Sequence, residues 1–214
     1  MKSIKLFCFP VLSVLLLSGC VVGRRTVSLT VPLVASTASK GEFAITSAED
    51  VRRFENKPSI PETPSIDGDV TKASKDQLEV MIGRQRNTYG KAMGDIALPA
   101  PETVTSKATE LVAEGLRRSG YPVASGKTGA NTVDVKVNDF WAWFTPGMWS
   151  VGFEARIQCN LTLKLGEKTA NFTVRSHAEN RGQVASDANW QLAYTRAFED
   201  FLKNFQTELT NAGF

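Results

Sequence analysis

The clearest pattern in the chain is an alternation of apolar and polar residues between positions 149 and 165. Side chains alternate between the two faces of a β-strand, so this pattern predicts a long antiparallel strand with one buried face. Residues 133–137 and 172–178 repeat the alternation and predict neighbouring strands. The apolar positions of the main run are Trp149, Val151, Phe153, Ala155, Ile157, Cys159, Leu161, Leu163 and Leu165.

Two stretches have helical periodicity instead. Residues 102–119 place small and aliphatic residues on one stripe, and Gly120 follows as a stop signal. Ser186 or Asp187 can cap a second helix, whose aromatic stripe extends from Trp190 to Leu209. With shorter strands expected at 26–34 and 41–46, we predict an α+β fold, with a mostly antiparallel sheet and two helices packed on one face.

The stretch between these elements is less regular. Residues 48–55 fit either a helical turn or an extended segment. Pro58, Pro61 and Pro64 then interrupt any regular structure. We therefore expect a long loop at 56–78, laid along the body of the domain with Ile60 and Ile66 partly docked.

The N-terminal residues carry a targeting pattern. Lys2 and Lys5 precede an apolar run from Leu6 to Leu17, which is shorter than the about 20 residues that span a bilayer. The sequence Leu17-Ser18-Gly19-Cys20 that ends it resembles the bacterial lipobox. That resemblance implies cleavage of a signal peptide at 1–19 and lipidation of Cys20, followed by a linker at 20–25 and a single domain at 26–214. Val21, rather than Asp, after the cysteine implies sorting to the outer membrane, facing the periplasm.

Composition narrows the functional classes. Without the two signal lysines, 23 of the 25 Lys and Arg remain against 22 Asp and Glu. The net charge is then close to zero, so we expect no strongly positive electrostatic potential that would attract nucleic acid. Cys159 is left without an intramolecular partner and fits a buried core thiol. The chain has one histidine, His177, which is expected on the solvated face of a strand. We expect no catalytic residues, no metal site and no cofactor, and hence no enzyme.

Residues 140–149 predict a hairpin, and its register decides where two tryptophans lie. In one register a β-bulge at Asn138-Asp139 keeps Phe140 on the buried face, and Trp141 and Trp143 project from the other face. The competing register needs no bulge and buries both tryptophans, but it also buries Asp139, which is costly. The bulged register is favoured. The tryptophans then mark a binding surface, unless residues 56–78 cover them.

Residues 79–95 combine three glycines with several cations. The spacing does not fit a phosphate-binding Walker loop, because Gly90-Lys91 is followed by Ala92. The cations either meet an anionic group on a partner or pair internally with Asp50, Glu55 or Asp95. The candidate binding surface therefore comprises Trp141, Trp143, Met148, Arg84, Arg86 and Lys91.

Several segments together resemble the YajG type of bacterial envelope lipoproteins. These are the run from Glu49 to Glu55, residues 82–87 with Gly94-Asp95, a helix that ends at Gly120-Tyr121, and the hairpin at 140–149. The resemblance covers residues 26–210 and implies a location and a fold rather than a reaction. The longer proline-bearing loop departs from the shorter YajG-type sequences.

These observations predict a non-enzymatic lipoprotein, held in the membrane by its N-terminal lipid, that binds or supports another envelope component. An envelope protein is the expected partner, and nucleic acid is not. The alternative is a lipid- or glycan-binding module that uses the aromatic hairpin with Arg84 and Arg86.

Overall fold

The computed structural model describes residues 23–35, 40–87, 89–146, 151–182 and 186–214. Three long strands form its centre: β5 (Asn131–Pro146), β6 (Val151–Leu165) and β7 (Lys168–Gly182), each antiparallel to the next. Along β6, the apolar positions from Phe153 to Leu163 are at most 1% exposed, which confirms the predicted strand and its buried face. Trp149 lies outside the described residues.

A β-bulge sets the register between β5 and β6. Val137 pairs with Cys159 and Asp139 pairs with Gln158, so Asn138 is the extra residue. The bulge keeps Val137 and Phe140 on the same buried face, as the favoured register predicts. Asp139 instead lies on the opposite face, where its carboxylate pairs with the guanidinium of Arg156.

The sheet is mixed, so the expectation of a mostly antiparallel sheet is wrong. The other described strands are β1 (Arg25–Thr26), β2 (Phe43–Asp50), β3 (Met81–Arg86) and β4 (Ala92–Ala97). β2 and β3 both run parallel to β5 and follow one another along the same edge of it, and β1 is parallel to β4. Parallel pairing arises here because long connections, each containing a helix, separate β2 from β3 and β3 from β5 in the chain. The resulting order is β1-β4-β3-β5-β6-β7, with β2 also paired to β5.

The predicted strand at 26–34 is mostly an extended segment without strand pairing. Only Arg25–Thr26 is a strand, although Val27, Leu29 and Val31 alternate into the core. Residues 48–50 continue β2, so this part of the ambiguous stretch is extended rather than helical.

Two long helices contribute to one large core together with the sheet. They are α2 (Val104–Arg118), which Thr103 caps, and α3 (Asp187–Asn211), which Ser186 caps. Their buried residues belong to the same apolar cluster as those of β5 and β6. The helices approach closely at Gly115, where a Cβ atom would lie 2.7 Å from the ring of Phe205.

The segment between β2 and β3 forms a second, smaller core on the other side of β5. It includes a 3-10 helix at Val70–Lys72 and the short α1 (Lys75–Glu79), so the stretch predicted as a loop contains some helix. As predicted, Ile66 is docked, whereas Ile60 is exposed. The buried residues of this cluster are Ile66, Met81, Ala97, Trp141 and Trp143.

Candidate functional site

The two tryptophans of the predicted binding surface are buried. Trp141 is 0% exposed and Trp143 is 3% exposed, so the expectation that they project into solvent is wrong. The indole N–H of Trp141 donates to the carbonyl of Pro61 at 3.1 Å, and Phe54 packs edge-on against its ring. The alternative, in which residues 56–78 cover the tryptophans, describes the structure. A face that looks solvated from the alternation of β5 is therefore a second buried face.

Polar side chains, in addition to the covering segment at 56–78, shield Trp143 from solvent. The ring of His177 stacks parallel to it, with ring centroids 5.6 Å apart, and the guanidinium of Arg156 lies 5.3 Å from its centre. His177 is itself more than half exposed, and its Nε2 lies 2.9 Å from the carboxylate of Glu154. The predicted solvated position of His177 is thus confirmed, with a structural contact on its inner side.

The arginines of the candidate surface hold the covering segment in place. Arg84 is buried, donates to the carbonyl of Ile66 and pairs with Asp67 and Asp95. Arg86 donates to the carbonyl of Pro58 and to the hydroxyl of Ser65, both at 3.3 Å. Internal pairing of Arg84 with Asp95 is therefore confirmed, and neither arginine joins the tryptophans in an open surface.

Of the remaining predicted surface residues, Lys91 is exposed in the turn between β3 and β4. Met148 and the lipidation residue Cys20 lie outside the described residues. Cys159 is fully buried, and burial raises the pKa of its thiol to about 12, which fits the predicted core role.

Arg52 is a buried residue that the sequence pattern did not single out. It lies between the end of β2 and the start of β3 and binds both oxygens of Asp50. Its guanidinium also donates to the carbonyls of Leu78, Met81 and Phe140, so it joins three parts of the chain at the point where β2 leaves β5.

A large concave site lies elsewhere, between α2, the extended segment 29–33 and the loop 123–127. We call it the α2 groove. Its volume of about 590 Å³ falls in the range typical of ligand sites. The apolar part of the lining comes from residues far apart in sequence, including Leu33, which is 72% exposed. These apolar residues are Leu29, Val31, Leu33, Ile45, Ala113, Val123 and Ala124.

Charged groups at the rim of the α2 groove are largely paired with one another. The amine of Lys107 lies 2.8 Å from Glu102 and 3.2 Å from Glu110. Burial alone would lower the pKa of Lys107, but these two carboxylates raise it. Arg117 pairs with Glu114 at 3.1 Å, and Lys127 is exposed. The groove therefore combines an apolar lining with a rim that holds little uncompensated charge.

One wall of the groove is fixed by the buried Glu114. Its carboxylate accepts the backbone N–H of Val34 at 2.8 Å, and Arg118 links it to the carbonyl of Pro32. Burial alone would raise the pKa of Glu114, but hydrogen bonds from Arg118, Val34 and Arg117 lower it. The extended segment is thus held against α2 by a buried charge network.

The outer edge of β2 opens beside this groove. On that side, only the start of the strand is paired with the loop after α2: the N–H of Phe43 donates to the carbonyl of Pro122, and its carbonyl accepts the N–H of Ala124. Beyond Phe43, no backbone group in the described part of the chain is hydrogen-bonded to this edge. The N–H of Val51 donates inward to Val137, so alternation places the backbone groups of Ala48 on the outer edge. A smaller cavity of about 220 Å³ follows this edge beneath α2 and shares Ile45, Thr109 and Lys127 with the groove.

The outer edge of β7, in contrast, is capped by side chains of α3. Asn204 donates to the carbonyl of Arg175 at 2.8 Å, and Arg196 donates to the carbonyl of Glu179 at 2.8 Å. Between them, Asp200 accepts the backbone N–H of His177. Residues 196, 200 and 204 are one helical turn apart, so one face of α3 follows the strand.

Comparisons with solved structures show low sequence identity. Protein XCC0632 of Xanthomonas campestris, from the DUF330 family, is 12% identical, and the match covers 89% of this chain and 95% of that one with a TM-score of 0.47. A structure described only as an uncharacterised protein is 11% identical, with 88% and 94% coverage and a TM-score of 0.37. A comparison with curated protein sequences finds no match.

Two further observations concern the described residues alone. None of the helices described here is long and apolar enough to cross a membrane. In the same ranges, no three His, Cys, Asp or Glu side chains are grouped so that they could hold a metal ion.

The sequence itself matches a family model described as "Uncharacterized lipoprotein". The match runs from residue 72 to residue 212 and so includes β3 to β7 and all of α1, α2 and α3. It contains the hairpin at 140–149 on which part of the resemblance to envelope lipoproteins rests. The chain therefore belongs to the Lipoprotein_16 family of uncharacterised lipoproteins.

Proposed function

We propose that this protein is a lipid-anchored envelope lipoprotein that binds an extended segment of another envelope protein. The segment adds as a strand to the open edge of β2 and places alternate apolar side chains in the α2 groove. The observation that carries this proposal is the position of the open edge directly beside an apolar cavity, with Ile45, Thr109 and Lys127 belonging to both. Strand addition provides backbone hydrogen bonds, and the groove provides selectivity for side chains.

The chemistry of the groove favours a polypeptide over a lipid or a glycan. Lys107 and Arg117 are already paired with carboxylates, so they are poorly placed to receive an anionic head group. None of the described residues that line the groove is aromatic, and sugars stack well on aromatic rings. An acyl chain would leave the outward backbone groups of β2 without hydrogen-bond partners, whereas an added strand satisfies them.

Lipid attachment follows from the family and from the N-terminal sequence together. Membership in a lipoprotein family supports an envelope location. Leu17-Ser18-Gly19-Cys20 supplies the lipidation pattern, so we propose that residues 1–19 are removed and that Cys20 carries the acyl chains. Val21 favours sorting to the outer membrane, with the domain in the periplasm. Two or more chains hold a protein stably in a bilayer, whereas one does not.

We propose that the protein acts by binding and not by catalysis. The groups best suited to chemistry serve the fold: Cys159 is buried in the core, and His177 lies between Trp143 and Glu154. Glu114, buried behind the wall of the α2 groove, holds the extended segment against α2.

Photo-crosslinking in living cells tests this proposal. A photoreactive amino acid replaces Lys127, which is exposed at the rim of both cavities. We expect crosslinks to one protein, and mass spectrometry should map them to a single segment in which apolar residues alternate. Glu167, an exposed residue in the turn between β6 and β7, is the matched control position and should not yield that crosslink.

Three outcomes would contradict the proposal. Adducts with lipid or glycan at position 127 would favour a small-ligand site. Crosslinks to a second copy of the chain would indicate self-association. Equal capture of the same protein from positions 127 and 167 would indicate a non-specific neighbour.

A further inference from the structure

The turn between β3 and β4 presents an aromatic ring and a cation on a well-braced loop. Tyr89 is 94% exposed, the highest exposure of any large apolar or aromatic side chain that the structure describes. The side chain of Asn87 accepts the backbone N–H groups of Tyr89 and Lys91, and the backbone of Asn87 is bonded to that of Lys91. Gly90 adopts a positive φ of 76°, which the tight turn requires. The exposure of Tyr89 is thus a property of a fixed turn.

The same turn lies next to the point where the chain comes from its proposed anchor. The N–H of Gly23 donates to the carbonyl of Met93 at 2.9 Å, and Gly94 has no Cβ to clash with the carbonyl of Gly23. Gly23 is three residues beyond Cys20. Three residues span at most about 10 Å, so an acylated Cys20 holds this end of the domain close to the bilayer surface.

The charge of this end suits a lipid surface. The side chain of Arg24 is 52% exposed, and Lys91 is also exposed. The nearby cations outnumber the nearby carboxylates by four to two: Arg24, Arg84, Arg86 and Lys91 against Asp67 and Asp95. Tyrosine favours the interface between head groups and acyl chains, and cations favour anionic head groups.

We propose that Tyr89, Lys91 and Arg24 form a membrane-contact surface that rests on the lipid head groups around the anchor. This inference rests on the lipidation of Cys20 in the proposed function. It adds a defined orientation, because the lipid holds one point of the domain and the turn supplies a second point of contact.

The orientation places the α2 groove away from the membrane. β3 runs parallel to β5, so the turn after Arg86 lies at the end of the sheet where β5 finishes. β2 begins at the opposite end, with Phe43 beside Asn131, the first residue of β5. β5 has 16 residues, which corresponds to about 50 Å of extended strand. The open edge of β2 therefore faces partners in the periplasm rather than lipid.

Fluorescence quenching on vesicles tests the contact. The chain is purified from membranes with its lipid, carries Ala92→Cys directly after Lys91 at the start of β4, and is labelled with a thiol-reactive fluorophore; Cys159 is buried and Cys20 is acylated, so labelling is selective. It is reconstituted into vesicles of phosphatidylethanolamine and phosphatidylglycerol with a spin label on the head groups. We expect this label to be quenched several-fold more strongly than one at Glu167→Cys, which lies at the other end of the sheet.

A second variant separates the role of Tyr89 from mere closeness to the anchor. Adding Tyr89→Ser to the labelled Ala92→Cys chain should reduce quenching toward the level of the control position. Quenching that is unchanged by this substitution, or equal at positions 92 and 167, overturns the proposed surface.

Flotation with the vesicles tests the anchor separately. A chain that floats but shows equal quenching contradicts the contact surface alone. A chain that does not float contradicts lipidation at Cys20, and with it both the anchored function and this inference.

Discussion

The outer edges of β7 and β2 present the same kind of backbone groups but are protected differently. Asn204, Asp200 and Arg196 of α3 each cap one outward backbone group, on three alternate residues of β7. On β2, pairing on the outer side is confined to Phe43 in the part of the chain described here, and an apolar groove adjoins the rest of that edge. Exposed edges template pairing with other chains, so proteins generally block them.

This difference supports the proposal that a partner binds the edge of β2. The edge of β7 shows how a helix of this fold can cap a strand: side chains four residues apart on α3 bind its outward backbone groups. α2 lies over β2 but contributes Thr105, Ser106 and Thr109 to a cavity instead of capping the strand. An uncapped edge beneath a helix is a geometry that accepts an inserted strand.

The substitution with the largest expected effect on stability detaches β2 at its C-terminal end. Arg52→Ala removes a buried guanidinium that binds Asp50 and three backbone carbonyls. The change deletes the ion pair with Asp50 and the guanidinium donors to these carbonyls, so we expect the free energy of unfolding to fall by about 3–5 kcal/mol. Urea denaturation measures this loss. Arg53→Ala, an exposed neighbour of the same type, should change stability by less than about 0.5 kcal/mol.

A second substitution weakens the hydrogen bonds that hold the wall of the α2 groove and leaves β2 unchanged. Glu114→Gln weakens charge-assisted hydrogen bonds to Arg117, Arg118 and the backbone of Val34. We expect a loss of about 2 kcal/mol in the free energy of unfolding. If the variant keeps the parent's stability, the charge network does not hold the segment at 32–34.

The same residue predicts a dependence on pH. The pKa of Glu114 is lower in the folded protein than its ordinary value of 4.5. The folded state therefore gains stability from this group above about pH 4.5, and loses it as the pH falls through the lowered pKa. We expect the stability of the parent chain and of Glu114→Gln to converge in acid. A constant difference between the two chains down to acid pH would contradict this assignment.

The smallest change removes one cap from β7. Asn204→Ala deletes the hydrogen bond to the carbonyl of Arg175, and we expect a loss of about 1 kcal/mol. Hydrogen exchange should show faster exchange of neighbouring β7 amides, because the edge opens locally. Lys203→Ala, exposed on the same helix, serves as the control, and equal exchange in the two variants would show that α3 does not protect this edge.

The sequence pattern predicts the large core well because apolar residues recur with a clear period along its strands and helices. The alternation of β6 and the aromatic stripe of α3 each mark one buried face, which can be recognised from the sequence of a single chain. β3 does not show such a pattern: residues 81–84 are buried on both faces, and its glycine and arginine resemble a loop. The strands at 81–86 and 92–97 were therefore missed.

The candidate site was harder to predict for a different reason. Trp141 and Trp143 alternate with core residues, and alternation cannot tell a solvated face from one covered by a distant segment. The α2 groove joins residues 29–33, 102–117 and 123–127, which only the fold brings together. Among the described residues no strand pairs with the outer edge of β2, and the sequence carries no local signal for this.

The most direct test of strand addition at β2 repeats the crosslinking from position 127 with the edge blocked. Ala48→Pro removes an outward N–H, which an edge strand tolerates, while Ala48→Val adds volume and keeps the N–H. Thermal melts should show that both variants remain folded. We predict that the crosslink to the partner segment falls about ten-fold in Ala48→Pro and persists in Ala48→Val. A crosslink that survives in Ala48→Pro at the level of the parent chain would contradict strand addition at this edge.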